Sequence, residues 1–181
     1  MVNYIVIDFE ATCWKFPKTP EEQEIIEIGA VRLDRYGHLV DKFCCFVQPV
    51  IHPKLSYFCM ELTGIQQADV DKAKLFPVNY DLLLNWIELQ PDYRFIAWGA
   101  FDERLLKMNC QFHNLEIFWE QDFINIKNQY AQIQQLAKPI GLMKAIKTEK
   151  FEFEGEHHRA FDDAYNTAKI FSKYIDDWVI L

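Results

Sequence analysis

Apolar positions along the chain change rhythm several times, and each change marks an element. Tyr4 to Ile7 is a near-continuous β-branched and aromatic run, which suits a strand covered on both faces. Ile25 to Leu33 and Phe43 to Val47 are two further strand-like runs, and Asp34-Arg35-Tyr36-Gly37 between them has the composition of a turn. They predict an antiparallel pair beside the first strand. After Pro49 and Pro53 the spacing becomes helical, with leucines and a tryptophan over Val78 to Leu89. Arg94 to Trp98 predicts another strand, ended by Gly99, and Phe101 to Met108 the start of a helix with Asp102 in or just before its first turn. Ile124 to Leu136 and Leu142 to Ile146 also have helical patterns. The last helix is predicted from about Phe161 to Trp178, with Phe161, Ala164, Tyr165, Ala168, Phe171 and Ile175 on one face. Strands first, then alternating strands and helices, predict an α/β domain with a mixed sheet. No repeat, low-complexity block or Gly/Ser linker interrupts the pattern, so residues 1–181 are expected to form one domain.

Half of the 181 residues are hydrophobic, enough for one ordinary core. The net charge of -8 argues against a protein that holds nucleic acid by general positive charge, and leaves room for a local basic or metal-containing site. No apolar run approaches the length of a membrane span, and Met1-Val2-Asn3-Tyr4 lacks the basic patch that begins a signal peptide. A cytoplasmic protein with no membrane partner is expected. The five cysteines are odd in number and form no CxxC, so they are read as reduced thiols. Cys110 and His113 would make half of a zinc site, but no second pair has matching spacing.

Two segments carry chemistry. Asp8 and Glu10 sit two apart at the end of the first strand, so period-two geometry turns both carboxylates to one side and Phe9 to the other. Either the strand runs into a polar loop at Glu10, or two crowded acids share a divalent cation with oxygen ligands. In Gly155-Glu156-His157-His158-Arg159-Ala160-Phe161-Asp162-Asp163-Ala164, a loop followed by a helix start lets His158 and Asp163 face one site, which an uninterrupted helix would not. The plainer alternative is an exposed loop whose helix is capped by Asp162.

Three stretches then resemble the exonuclease motifs of the DEDDh superfamily: Asp-Phe-Glu-Ala-Thr-Cys at 8–13, Trp-Gly-Ala-Phe-Asp at 98–102 and His-Arg-Ala-Phe-Asp-Asp-Ala at 158–164. The resemblance is strongest to the Eri-type 3′–5′ exonucleases, which include the histone-mRNA exonuclease and bacterial KapD-like proteins. Glu24-Ile25-Ile26-Glu27-Ile28-Gly29, Ser56-Tyr57-Phe58-Cys59 with Leu62-Thr63-Gly64-Ile65, and Asn125-Ile126-Lys127 extend it over about Tyr4 to Phe171. The chain departs from the family pattern at Ala100, where an acid is frequent, at Ala160, where glycine is, and at Tyr165, where arginine is.

The resemblance implies a ribonuclease-H-like fold, a five-stranded mixed sheet flanked by helices. It implies Asp8, Glu10, Asp102 and Asp163 as ligands of two divalent cations, Mg²⁺ or Mn²⁺, and His158 as general base. The spacing of His158 to Asp163 fits the motif, whereas a one-residue shift would pair His157 with Asp162. Phe58 and Phe101 resemble positions that stack the terminal base, Leu62 and Thr63 those that wedge and position the last nucleotides, and Ala11 and Thr12 those that offer backbone contacts to the terminal sugar. The activity implied is a metal-dependent 3′–5′ exonuclease releasing nucleoside 5′-monophosphates from single-stranded RNA or 3′ overhangs, with RNA favoured over DNA. The alternatives are an oligoribonuclease or DNA proofreading exonuclease, and a non-catalytic binding module of the same fold.

Overall fold

The structure is a computed structural model that describes residues 3–16, 23–87, 93–117 and 123–180. In chain order the elements are β1 (Asn3–Ala11), β2 (Ile25–Leu33), β3 (Leu39–Gln48), α1 (Tyr57–Thr63), α2 (Gln67–Asp71), β4 (Lys74–Leu75), α3 (Phe76–Ile87), β5 (Tyr93–Ala97), α4 (Phe101–Phe112), β6 (Phe123–Asn125), α5 (Ile126–Ile133), α6 (Leu142–Thr148) and α7 (Ala160–Lys173). The strands form one sheet in the order β4-β3-β2-β1-β5-β6. β1–β2 and β2–β3 are antiparallel, and β3–β4, β1–β5 and β5–β6 are parallel.

The expected antiparallel pair beside a central first strand is therefore present. Among the described residues the expected five strands become six, because the two residues of β4 add a short outer edge to β3. The expected helix from Ile124 is also corrected: Ile124 and Asn125 belong to β6, and the helix starts at Ile126, where the Asn125 side chain accepts the Lys127 N–H as an N-cap. The last helix ends at Lys173 rather than near Trp178, and residues 88 and 89 of the helix expected over Val78 to Leu89 lie outside the described residues.

β1 is buried on both faces, which is why its sequence is nearly continuous in apolar residues. Ile5, Ile7, Phe9 and Ala11 pack with Phe76, Tyr80, Leu83 and Ile87 of α3 and Leu105, Leu106 and Cys110 of α4. Tyr4 and Val6 pack on the other side with Ile126 and Tyr130 of α5, Leu142 and Ile146 of α6, and Ala164, Ala168 and Phe171 of α7. The even-numbered row of β1 thus reads apolar, apolar, acid, acid, and its two acids emerge where the start of α7 meets the sheet.

Candidate metal and nucleic-acid site

Four segments meet at the carboxyl end of β1. A cleft of about 360 Å³ is lined by Asp8, Phe9 and Glu10 of β1, Trp98, Phe101 and Asp102 around the start of α4, Gly141 and Leu142 at the start of α6, and His157, His158 and Asp163 around the start of α7. All five residues expected to carry the chemistry border this one space.

The local causes can be traced residue by residue. The β1–β5 register ends at Val6–Ile96, so β1 runs on beyond its parallel neighbour. Asp102, in the first turn of α4 where an acid suits the helix dipole, accepts the Phe9 N–H at 3.1 Å through Oδ1. Opposite, Asp8 pairs in register with Gly29 of β2. A Cβ on Gly29 would come within 2.1 Å of the Ala160 carbonyl carbon and the Phe161 nitrogen, so the missing side chain lets the first turn of α7 rest on the sheet and brings Asp163 beside Asp8. Asp163 then holds the loop before its own helix: Oδ1 lies 2.9 Å from His157 Nδ1, and Oδ2 accepts the His158 N–H at 3.0 Å. His158 is held at φ 68°, a left-handed conformation that costs a non-glycine residue energy and occurs where tertiary structure imposes it.

The expected His157–Asp162 alternative is not what the loop adopts. Asp162 accepts the Glu156 N–H at 2.8 Å and packs against Gly155, whose Cβ would otherwise meet its carboxylate at 2.2 Å. Both histidines face Asp163, one by its ring and one by its backbone, and their rings stack with centroids 4.0 Å apart.

Oxygen atoms of Asp8, Glu10 and Asp163 lie within 4.8 Å of one another. Burial, reinforced by the charges of Asp102, Asp163, Glu10 and Glu27, holds the Asp8 carboxyl well above the usual range. Glu10 is pushed up to about 8 by burial and then by Asp163 and Glu27. Asp102 is raised to about 7, burial outweighing its backbone hydrogen bonds. Asp163 is also raised by burial, although its hydrogen bond to His157 pulls the other way. Burial, and then the charge of His157, lowers His158, which keeps its imidazole neutral near pH 7. The strongest influences on Asp8 and Glu10 are burial and neighbouring acids. Hard oxygen donors with unmet negative charge fit a divalent cation, and the residues that could hold it are Asp8, Glu10 and Asp163, with Asp102 on the same cleft.

The six residues expected at the substrate divide. Phe101 is partly exposed and lines the cleft. Phe58 is half-buried and Leu62 partly exposed on α1, and neither is among the residues that line the cleft. Thr63 is buried, its hydroxyl donating to the Cys59 carbonyl and accepting the Ile65 N–H. Ala11 and Thr12 are buried. Thr12 already donates its N–H to the Glu24 carbonyl and accepts the Glu24 N–H on its hydroxyl.

Sequence spacing assigns no role to Glu27 or Glu24, and the structure gives each one. Glu27, 1% exposed, takes two hydrogen bonds from Arg159, at 2.7 and 3.1 Å, and one at 2.9 Å from the Ala160 N–H. Glu24 accepts the N–H groups of Val50, Ile51 and His52 at 2.6, 2.9 and 2.8 Å. The available signal was an acid in or beside an apolar strand, which calls for a buried partner but does not name it.

Comparison with known proteins agrees with this geometry. The sequence profile of the exonuclease family (RNase T) matches residues 5–171. ERI1 exoribonuclease 2 of Homo sapiens is 33% identical over 200 residues, covering 98% of this chain and 29% of the relative. The 3′-5′ exoribonuclease 1 of Homo sapiens is 31% identical over 186 residues, covering 97% and 53%. The chain thus spans about a third to a half of the length of these curated relatives. Among solved structures, the nuclease domain of 3′hExo, a DEDDh family member bound to rAMP, superposes with a TM-score of 0.88 at 29% identity, over 97% of this chain and 92% of that one. A 3′-exonuclease solved in specific recognition of a histone mRNA stem-loop superposes equally well at 28% identity, over 97% and 64%. With the profile running almost from end to end and its acids and histidine gathered on one ribonuclease-H-like sheet, the chain belongs to the exonuclease family, in its DEDDh branch.

Proposed function

We propose that the chain is one exonuclease domain that removes nucleotides from the 3′ end of single-stranded RNA or short 3′ overhangs, releasing nucleoside 5′-monophosphates. The observation that carries this reading is the convergence of Asp8, Glu10 and Asp163 oxygens within 4.8 Å, in a cleft that also holds Asp102 and His158. RNA is favoured over DNA because the relatives are named exoribonucleases. A cytoplasmic setting belongs to the same reading and is supported by five free cysteines. No helix among the described residues is long and apolar enough to cross a membrane.

Asp8, Glu10, Asp102 and Asp163 are proposed to hold two Mg²⁺ or Mn²⁺ ions. When bound, such ions neutralise charge on the scissile phosphodiester and acidify the attacking water. His158, neutral and within the cleft, takes the proton from that water as it attacks phosphorus, and the bond to the 3′ oxygen of the preceding nucleotide breaks. Asp163 keeps the loop bearing His158 against the cleft through the backbone bond described above. Phe101 offers the terminal base an aromatic face. Phe58, Leu62 and Thr63 of α1 would meet the last nucleotides, and Ala11 and Thr12 would meet the terminal sugar, Thr12 only after giving up a backbone bond to Glu24.

The test is incubation of purified protein with 5′-labelled RNA and DNA in Mn²⁺ or Mg²⁺. Progressive shortening is expected, slowed by a 3′-phosphate and absent in EDTA. Internal cuts in a circular single strand would indicate an endonuclease. Binding without release in either metal would favour the non-catalytic module.

A further inference from the structure

α4 has a buried face and an open one. Leu105, Leu106, Asn109 and Cys110 are buried, while Phe101 and Arg104, one turn apart, are exposed on the other side of the helix. Beside them lies a surface depression of about 420 Å³ lined by Ala100, Glu103, Arg104, Lys107 and Met108. It adjoins the cleft of the carboxylates, because Ala100 is followed directly by Phe101, which lines that cleft.

The charges in the depression do not cancel. Lys107 pairs with Glu103 at 2.7 Å, which leaves the guanidinium of Arg104. Ala100 brings no charge to it, and Arg104 forms no ion pair among the described residues. Arg32 and Arg159 differ in this respect, lying 3.0 Å from Asp41 and 2.7 Å from Glu27. The contact that Arg104 does make is to the ring of Phe101, with Cζ 5.5 Å from the ring centroid. In a chain of net charge -8, an uncompensated guanidinium beside an acidic cleft attracts an anion, and its planar fork matches a phosphate.

We propose that this face of α4 is a binding track for the part of the strand 5′ to the terminal nucleotide, with Arg104 contacting a backbone phosphate. The inference rests on the exonuclease reading and extends it beyond the cleft. A strand held by its 3′ end has to leave the cleft, and the depression gives it a path beside Phe101. Arg104 covers one face of the Phe101 ring, so the terminal base stacks on the other. The guanidinium, about 4.5 Å farther along the helix axis, then meets the phosphate of a nucleotide already outside the cleft. Contact with phosphate adds affinity without selecting a base. A dinucleotide ends before the track begins, so the chain gains affinity from a longer strand, unlike an enzyme built for the shortest oligonucleotides.

The experiment measures KM for a single-stranded RNA decamer and for a dinucleotide over a range of salt, with the unaltered protein, Arg104→Ala and Arg104→Lys. For the decamer, Arg104→Ala should raise KM about fivefold and lower the slope of log KM against log salt by about 0.7, the share of one phosphate contact on a single strand. The rise for the dinucleotide should be much smaller, and Arg104→Lys, which keeps the charge, should restore most of the slope. An equal rise for both substrates would overturn the proposal, because Arg104 would then only brace Phe101. An unchanged KM or slope for the decamer, or no recovery with lysine, would overturn it as well. Binding of the same decamer, 5′-labelled and followed by fluorescence anisotropy in EDTA at low salt, is read without turnover. Arg104→Ala should weaken it, and equal binding by the two proteins, or none by the unaltered one, would count against the track. Absence of turnover of any RNA by the unaltered protein would count against the exonuclease reading instead.

Discussion

Glu27 and Arg159, 132 positions apart, meet through two parallel hydrogen bonds, and the same Glu27 carboxylate takes the first free N–H of α7. One buried acid therefore sets where the helix bearing Asp163 begins. Glu27→Ala should lower stability by about 2–4 kcal/mol, less than a fully buried pair because the Arg159 side chain is 29% exposed. Arg159→Lys, which loses the two-pronged geometry, should cost about 1 kcal/mol. Urea denaturation gives both values, and a Glu27→Ala protein within 0.5 kcal/mol of wild type would remove this role.

Gly29→Ala tests the contact beside it. The added methyl would overlap the Ala160 and Phe161 backbone, so α7 must lift or the sheet must give, at about 1–3 kcal/mol. The variant should also show a smaller rise in Tm on addition of Mn²⁺, since Asp163 travels with the helix. An unchanged metal response would separate the packing from the site.

The raised carboxyls give the metal-free protein a defined pH profile. Glu10, at about 8 against an ordinary 4.5, and Asp102, at about 7 against 3.8, hold protons in the folded chain that the unfolded chain has already released. Their contribution to stability is fully present below the ordinary values and is lost as pH rises through the raised ones. In EDTA the Tm should fall between pH 5 and 8 more steeply than with Mn²⁺, and the gap between the two curves should widen with pH. Parallel curves would show that cations do not relieve these charges.

Asp8→Asn and Asp163→Asn should part company in EDTA. Asp8→Asn removes a carboxyl whose ionised form is opposed by burial and by the neighbouring carboxylates, so the folded chain no longer has to take up a proton there and its metal-free Tm should rise by a few degrees. Asp163→Asn replaces a carboxylate that serves both His157 and the His158 N–H, so its Tm should fall. Both variants should lose nucleotide release and most of the Mn²⁺-induced stabilisation. An Asp8→Asn enzyme with wild-type turnover would contradict the proposed metal site.

The two stacked histidines are separable by kinetics. His158→Ala should reduce turnover by about 100-fold or more, the usual range for a general base, while His157→Ala should cost only a few-fold through loosening of Asp163. A larger loss at His157 would move the proposed base to the ring that already lies 2.9 Å from that carboxylate.

Much of this arrangement was legible in the sequence for a physical reason. A strand buried on both faces must be continuously apolar, so β1 was visible, and Asp8 and Glu10 stood out because they broke its even-numbered row. Gly155 before a polar run marked the loop that lets His158 and Asp163 share a site. Two kinds of feature stayed hidden. β6 has three residues, too few to show a period of two, and it runs directly into an apolar helix. The role of Glu27 depends on a partner at Arg159 that no local pattern points to.

β1 and α7 both line the cleft, Asp8 and Glu10 coming from one and Asp163 from the other. Synthesis proceeds from the N-terminus, so a nascent chain released from the ribosome only as far as α6 has the central strand, its sheet partners and Asp102, but not the carboxylate that completes the cluster. Folding of the sheet can run ahead while assembly of the site waits for α7 to dock on Gly29. The proposed site would in this way stay incomplete until α7 has emerged and docked, whatever the sheet has already done.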